Sequence, residues 1–70
     1  MEVGQRIDET GLLVREGGAF HLRRDAGGSF RLDLHRMPID EVEKQVRVIG
    51  ICIGPDLVEV DGVSLIGPPG

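Results

Sequence analysis

Residues 19–34, AFHLRRDAGGSFRLDL, contain two short stretches in which apolar and polar side chains alternate, separated by a pair of glycines. Such alternation is typical of β-strands that bury one face, and paired glycines are typical of a tight turn. The segment therefore predicts a β-hairpin formed by strands 19–24 and 29–34. Its inward side chains would be Phe20, Leu22, Phe30, Leu32 and Leu34.

Three more apolar runs flank this hairpin, at residues 11–15, 46–53 and 57–60, and turn-forming residues border each of them. Gly11 interrupts the N-terminal run and predicts a bend that would let one strand pair on both sides. Residues 46–53 are apolar on both faces and broken at Gly50, which favours a buried strand that is either central or corner-turning. Asp61 and Gly62 allow a bulge or a further turn before residues 63–66.

A helical pattern fills the gap between the third and fourth runs. Pro38 suits the first position of a helix, and Ile39 and Val42 are spaced by three residues. Acidic residues come early in the segment and Lys44 comes at its end, an order that complements the helix dipole. We therefore predict a short helix at 39–44 whose Ile39 and Val42 cover one end of a barrel.

Three strands, one helix and two strands follow each other in the order of the oligonucleotide/oligosaccharide-binding (OB) fold. The sequence predicts a mainly β protein: a small five-stranded OB-like barrel (β-β-β-α-β-β) with one short helix. An SH3-like barrel is the alternative. Residues 1–66 would form the single domain, and residues 67–70, Gly-Pro-Pro-Gly, a flexible tail that cannot extend a strand.

Turn chemistry in the hairpin suggests a register. Asp25 suits the first position of a type I turn, and Gly28 suits the left-handed position that ends a three-residue loop. Asp25 would then lie opposite Ser29, and Leu22 would lie opposite Leu32.

The same register predicts the candidate site on the outer face of the hairpin. It places His21 opposite Asp33, and Arg23 opposite Arg31. Two adjacent guanidinium groups offer several hydrogen-bond donors to a carboxylate or phosphate. The predicted ligand-binding residues are therefore His21, Arg23, Arg31 and Asp33.

Net charge and composition limit the classes of partner that the chain is expected to bind. The chain of 70 residues has a net charge of -4 and a pI near 4.9, and it contains neither Trp nor Tyr. Single-strand binding normally uses a basic groove and exposed aromatic rings, so nucleic acid is a disfavoured partner, although residues 15–36 are locally basic. A protein or a small anionic ligand is favoured. A domain this small would gain stability from self-association, which leaves a weak homo-oligomer open.

No pattern in the chain predicts catalysis, a cofactor or a metal site. Cys52 lies within an apolar run, where we expect a buried and inert thiol. A single cysteine cannot form an internal disulfide, which fits a reducing compartment. The chain has no signal-peptide pattern and no apolar run near ~20 residues, so we expect a cytoplasmic protein without a membrane span.

Four stretches carry a resemblance: 11–15 GLLVR, 30–34 FRLDL, 46–50 VRVIG and 56–60 DLVEV. They resemble a family of short bacterial proteins classed as a domain of unknown function, and the resemblance covers most of the chain. It implies a shared OB-like β-barrel fold and carries no catalytic signature. The expected function is a small non-catalytic binding module that uses the outer face of strands two and three. A nucleic-acid-binding OB domain is the alternative.

Overall fold

A computed structural model describes residues 2–35 and 41–66, which contain five β-strands. The strands are β1 Arg6–Glu16, β2 Ala19–Arg24, β3 Ser29–Asp33, β4 Gln45–Gly54 and β5 Leu57–Leu65. They form one closed sheet in the order β1-β2-β3-β5-β4. All neighbouring strands are antiparallel except β3 and β5, which are parallel. The predicted mainly β fold with five strands is confirmed.

The longest strand, β1, closes the sheet by pairing on both sides. Its first part, from Arg6 to Leu12, pairs with β4, and its second part, from Gly11 to Glu16, pairs with β2. At Gly11 the two ladders meet, and a Cβ atom there would overlap the backbone carbonyl of Arg23. Only glycine allows this approach of the two backbones, and the pairing of β1 on both sides, for which the bend was predicted, is confirmed.

The core lies inside the closed sheet and receives the inward side chains of every strand. Phe30 is 4% exposed, and Leu22 and Val48 are fully buried. The inward assignment of the two hairpin strands is therefore confirmed, with Leu34 packed partly buried against the core. The buried residues are Ile7, Leu13, Phe20, Leu22, Phe30, Leu32, Val46, Val48, Cys52, Val58 and Val60.

The hairpin register predicted from the turn is wrong by two residues. Leu22 lies opposite Phe30 instead of Leu32, and Ser29 lies opposite Arg23 instead of Asp25. The turn begins one residue earlier than expected, because the carbonyl of Arg24 accepts a hydrogen bond of 3.0 Å from Gly27 N–H. A shift of two residues keeps every side chain on its face, which is why the predicted faces survive.

Contacts outside the hairpin explain this shift. The carboxylate of Asp25 accepts hydrogen bonds from Thr10 Oγ1 at 2.9 Å and from Gln45 Nε2 at 2.5 Å. The backbone N–H of Asp25 also donates to the carbonyl of Thr10, at 3.0 Å. Asp25 thus continues the ladder with β1 and is unavailable as a partner for Ser29. Interactions distant in sequence override the local turn preference.

The predicted helix is wrong over the residues that the structure describes. Residues 39 and 40 lie outside the described ranges, as does the predicted tail at 67–70. Glu43 has a left-handed backbone with φ of 62°, and its N–H donates to the carbonyl of Leu13 at 2.6 Å. Lys44 in turn accepts from Leu13 N–H at 3.1 Å, so this end of the segment extends the β1–β4 ladder. Val42 nevertheless packs partly buried against the core, as predicted.

Strand β4 pairs with β1 on one side and with β5 on the other, but its predicted burial on both faces is wrong. Val46, Val48 and Cys52 are fully buried, whereas Ile51 and Ile53 are each 41% exposed. The closed sheet is a single layer, so each strand has one inward face and one face at the surface. The double apolar pattern of β4 therefore leaves isoleucines on the outside.

A bulge at Asp61 lets β5 continue to Leu65. Ile49 pairs with Gly62 while the next residue, Gly50, pairs with Val60, which leaves Asp61 unmatched. Of the two alternatives at this position, the bulge is confirmed. At Gly50 a Cβ atom would overlap the carbonyl oxygen of Glu59, so the two backbones approach here as closely as they do at Gly11.

Candidate functional site

The outer surface of β2 and β3 displays the four residues predicted as a site. Alternation along each strand turns His21 and Arg23 of β2 and Arg31 and Asp33 of β3 away from the core. Arg23, Arg31 and Asp33 are exposed, and His21 is half-buried. We call the surface formed by the outward residues His21, Arg23, Ser29, Arg31 and Asp33 the hairpin face. The structure thus brings the four predicted residues onto one surface.

Their pairing on that surface differs from the prediction. Arg31 lies opposite His21, and Arg23 lies opposite Ser29, so the two arginines are diagonal neighbours instead of a direct pair. Asp33 is correspondingly displaced from His21. The shifted register removes the unfavourable contact of two like charges directly across the ladder.

Glu16, at the end of β1, also belongs to this surface, although it is not among the predicted site residues. One carboxylate oxygen, Oε2, lies 3.8 Å from His21 Nδ1, and the other, Oε1, lies 3.9 Å from Arg23 Nη2. The carboxylate therefore offsets part of the positive charge of Arg23. Within residues 2–35 and 41–66, Arg31 forms no ion pair. Of the two arginines on this face, Arg31 is therefore the better placed to bind an anionic group of a ligand.

A groove of about 390 Å³ lies beside Arg31. It is lined by His21 and Ser29 from the hairpin face, by Arg31 itself, and by Asp56 from the β4–β5 turn. Arg31 N–H donates to the carbonyl of Asp56 at 2.7 Å, which fixes this turn against β3. The groove therefore offers hydrogen-bond donors from Arg31 and Ser29 and a carboxylate acceptor from Asp56.

A second groove, of about 570 Å³, adjoins the first because Arg31 lines both. Phe20, Leu32 and Leu57 contribute apolar surface to its wall, and Asp33 contributes a carboxylate. A ligand that places a charged group at Arg31 can thus place a neighbouring apolar group in this second groove.

Acidic residues outnumber the arginines around the hairpin face. The parallel pairing of β3 with β5 sets Glu59 beside Asp33, and Asp56 borders the groove. With Glu16, four carboxylates surround two arginines. The local excess of arginine in residues 15–36 is therefore reduced by Asp56 of the β4–β5 turn and by Glu59 of β5, which the fold brings to this face. A charge count over residues 15–36 could not reveal this, because these two acids are distant in the chain.

Other chemically distinctive groups lie away from this face. Cys52 is fully buried, and its thiol donates to the carbonyl of Gly54 at 2.9 Å, so the predicted burial is confirmed. Hydrogen bonds from Arg47 lower the pKa of Asp8 below its ordinary value of 3.8, and this pair joins β1 to β4. In the described part of the chain, no three His, Cys, Asp or Glu side chains are grouped as metal ligands.

One family model matches residues 10–66, and its description reads "Protein of unknown function (DUF5818)". The chain belongs to this family. The match extends from the middle of β1 beyond the end of β5, and it confirms the resemblance to a domain of unknown function. The bacterial origin expected from that resemblance stays a prediction.

Comparison with curated proteins found no match, and comparison with solved structures found none either. Among the described residues, no helix has the length and apolar character needed to cross a membrane.

Proposed function

We propose that the closed sheet is an OB-like barrel. Three features support this assignment over an SH3-like barrel: the strand order β1-β2-β3-β5-β4, the parallel β3–β5 pair, and the sharing of β1 between two neighbours. In OB folds, ligands bind to the face of strands two and three and to the loops that follow strands one and four. The groove beside Arg31 occupies the equivalent position, between the hairpin face and the β4–β5 turn.

On this scaffold, we propose a non-catalytic binding module that contacts an acidic segment of a protein partner or a small anionic ligand. The observation that carries the proposal is Arg31, an exposed guanidinium without an ion pair among the described residues, at the junction of two grooves. Arg31 would bind a carboxylate of the ligand through paired hydrogen bonds. Asp56 would accept a hydrogen bond from an N–H group next to that carboxylate.

This combination of charges favours a peptide over a nucleic acid. A peptide offers a carboxylate and N–H donors within a short distance, which matches an arginine and a carboxylate that line the same groove. A phosphate backbone repeats negative charge along its length and would meet Glu16, Asp33, Asp56 and Glu59. The two phenylalanines, the only aromatic residues, are buried and cannot stack on bases. A nucleic-acid-binding OB domain remains the alternative that the experiment must exclude.

Titration of isotopically labelled protein, followed by NMR, tests the proposal. The probes are a short peptide rich in Asp and Glu, the same peptide with Asn and Gln, inorganic phosphate, and a single-stranded oligonucleotide at two salt concentrations. We expect the acidic peptide to shift the amides of His21, Ser29, Arg31 and Asp56, and the neutral peptide to leave them unchanged. Binding of the oligonucleotide with a steep salt dependence would favour the alternative.

Arginine variants locate the contact. Arg31→Ala should weaken peptide binding about tenfold to a hundredfold, because a hydrogen bond to a charged group contributes about 1.5–3 kcal/mol. Arg6→Ala, an exposed arginine on β1, is the matched control and should leave the affinity unchanged. Equal losses in both variants would indicate unspecific charge attraction. Unmoved hairpin amides with every probe, while another surface responds, would overturn the proposed site.

A further inference from the structure

The outer face of β4 carries three isoleucines at successive outward positions: Ile49, Ile51 and Ile53. We call them the isoleucine row. Ile51 and Ile53 are each 41% exposed, and Ile49 is half-buried. A contiguous apolar row on the surface of a small domain often marks an interaction surface. The row lies on a different strand from the hairpin face, and the proposed ligand groove does not use it.

At Ile51, opposite charges lie on the two sides of this row, whereas at Ile49 the β1 side carries Asp8, which forms an ion pair with Arg47. Arg6 of β1 lies directly opposite Ile51 on one side, and Glu59 of β5 lies opposite Ile51 on the other. Both charged side chains are exposed. Neighbouring strands are about 4.8 Å apart. A cation, an isoleucine and an anion therefore lie side by side on three adjacent strands.

We propose that the isoleucine row is the interface of a homodimer in which two copies of this chain pack β4 against β4, face to face. A two-fold axis that runs along β4 between the two sheets exchanges the left and right sides of the row. Each Arg6 then lies over Glu59 of the partner subunit, and the two isoleucine rows meet. An axis across the strands would instead set Arg6 over Arg6 of the partner subunit, which like charge disfavours.

The charge pattern is what identifies a second copy as the occupant. A two-fold interface requires a surface that complements itself, and a row with opposite charges on its two sides meets that requirement. A domain of 70 residues also buries a smaller fraction of its surface on folding than a larger domain does, about 60%, so covering the row adds stability that the monomer lacks. Because the interface is small, the dimer should form with a dissociation constant between about 10 µM and 1 mM.

Sedimentation equilibrium over a range of protein concentrations tests the dimer. The unmodified chain should convert from monomer to dimer as its concentration rises to about 1 mM. Ile51→Asp should weaken dimerisation more than about tenfold, because it places a charge in the centre of the interface. Lys44→Glu reverses an exposed charge just before β4, away from the isoleucine row, and serves as the control with unchanged association. Circular dichroism of each variant verifies that the outward substitutions preserve the fold.

Mixing two charge variants tests the orientation. Arg6→Glu alone and Glu59→Arg alone should each weaken self-association about tenfold or more, because each sets like charges over one another. A one-to-one mixture of the two variants should dimerise again, since both cross-subunit pairs then have opposite charges. No rearrangement within one subunit can produce this recovery, so it separates the interface from an effect on folding.

Three results would overturn the proposal. The first is a monomer at every concentration, including a monomer whose isoleucine row binds lipid vesicles or a different protein. The second is a dimer that Ile51→Asp leaves intact, because the interface then lies elsewhere. The third is a dimer disrupted by each charge variant but not recovered in the mixture, because Arg6 then does not face Glu59 of the partner subunit.

Discussion

The β2–β3 hairpin and strand β4 have equally apolar inner faces but very different outer faces. On the hairpin, polar side chains such as His21 and Arg31 alternate with buried ones, so the pattern alone identifies the inside. On β4, Ile51 points outward between the buried Gly50 and Cys52. Alternation therefore locates the core only where the outer face is polar. Where both faces of a strand are apolar, the pattern does not show which face is buried in the core. Whether another molecule covers the outer face depends on contacts that the strand's own sequence does not reveal.

Truncation of one inward and one outward side chain gives the largest contrast between the two regions. Phe30→Ala should lower the free energy of unfolding by about 3–5 kcal/mol, because Phe30 is 4% exposed and its removal leaves a cavity. Ile51→Ala, measured at low protein concentration, should cost less than about 1 kcal/mol. Urea titration measures both. A cost below about 1 kcal/mol for Phe30→Ala would mean that the strand faces are inverted.

Substitution of two glycines compares crowding at two points along the β4–β5 ladder. Gly50→Ala should cost about 1–3 kcal/mol, because its Cβ would overlap the carbonyl of Glu59 and force the strands apart. Gly62 lies two residues beyond Val60 on β5, and a Cβ atom there would meet nothing within 4 Å, so Gly62→Ala is the matched control and should be close to neutral. Thermal unfolding of both variants decides the comparison. Similar losses in both would show that backbone crowding is not the cause.

Removal of the Asp25 carboxylate tests what holds the hairpin in its register. Asp25→Ala deletes the acceptor of Thr10 and Gln45 and should cost about 0.5–1 kcal/mol. Without these two side-chain hydrogen bonds, we expect the turn to adopt also the register that places Leu22 opposite Leu32. NMR contacts between β2 and β3 report the register directly. Asp61→Ala, at the exposed bulge of β5, is the control, and an equal effect of the two variants would count against this account.

The smallest expected effect concerns the polar end of β4. Arg47 holds the pKa of Asp8 below 3.8 in the folded chain. A lowered pKa means that the pair contributes stability above about pH 4, and this contribution is lost as the pH falls through the lowered pKa. Urea midpoints between pH 6 and pH 2 should therefore fall less steeply for Asp8→Asn than for the unmodified chain. Parallel curves for the two proteins would show that the pair does not contribute.

Features set by near neighbours in the chain were predictable, and features set by distant contacts were not. Five strands, the glycine at the point where β1 pairs on both sides and the inward phenylalanines follow from local spacing and glycine geometry. The predicted hairpin register is wrong because Thr10 and Gln45 donate hydrogen bonds to the carboxylate of Asp25. The predicted helix is wrong because Glu43 and Lys44 form backbone hydrogen bonds with Leu13, a partner that no local pattern could indicate.

The candidate site followed the same division. Alternation along the chain is enough to place His21, Arg23, Arg31 and Asp33 on one surface. The carboxylate of Glu16 near two of them depends on the β1–β2 pairing, and the contribution of Asp56 depends on the contact between β3 and the β4–β5 turn. A charge count along the chain cannot detect either. The signal that could have indicated Glu16 was its position at the end of a strand that neighbours β2.

The sharing of β1 between two neighbours sets the order in which the sheet forms. Its pairing with β2 joins residues that are close in sequence, whereas its pairing with β4 joins Arg6 to Ile51 and Leu12 to Gln45. Loop-closure entropy makes the second ladder the slower one to form. A three-stranded meander should therefore appear first during refolding, with the first part of β1 still an open edge. Until β4 arrives, that edge and the isoleucines of β4 are both accessible to other chains, so aggregation should compete most strongly at this stage.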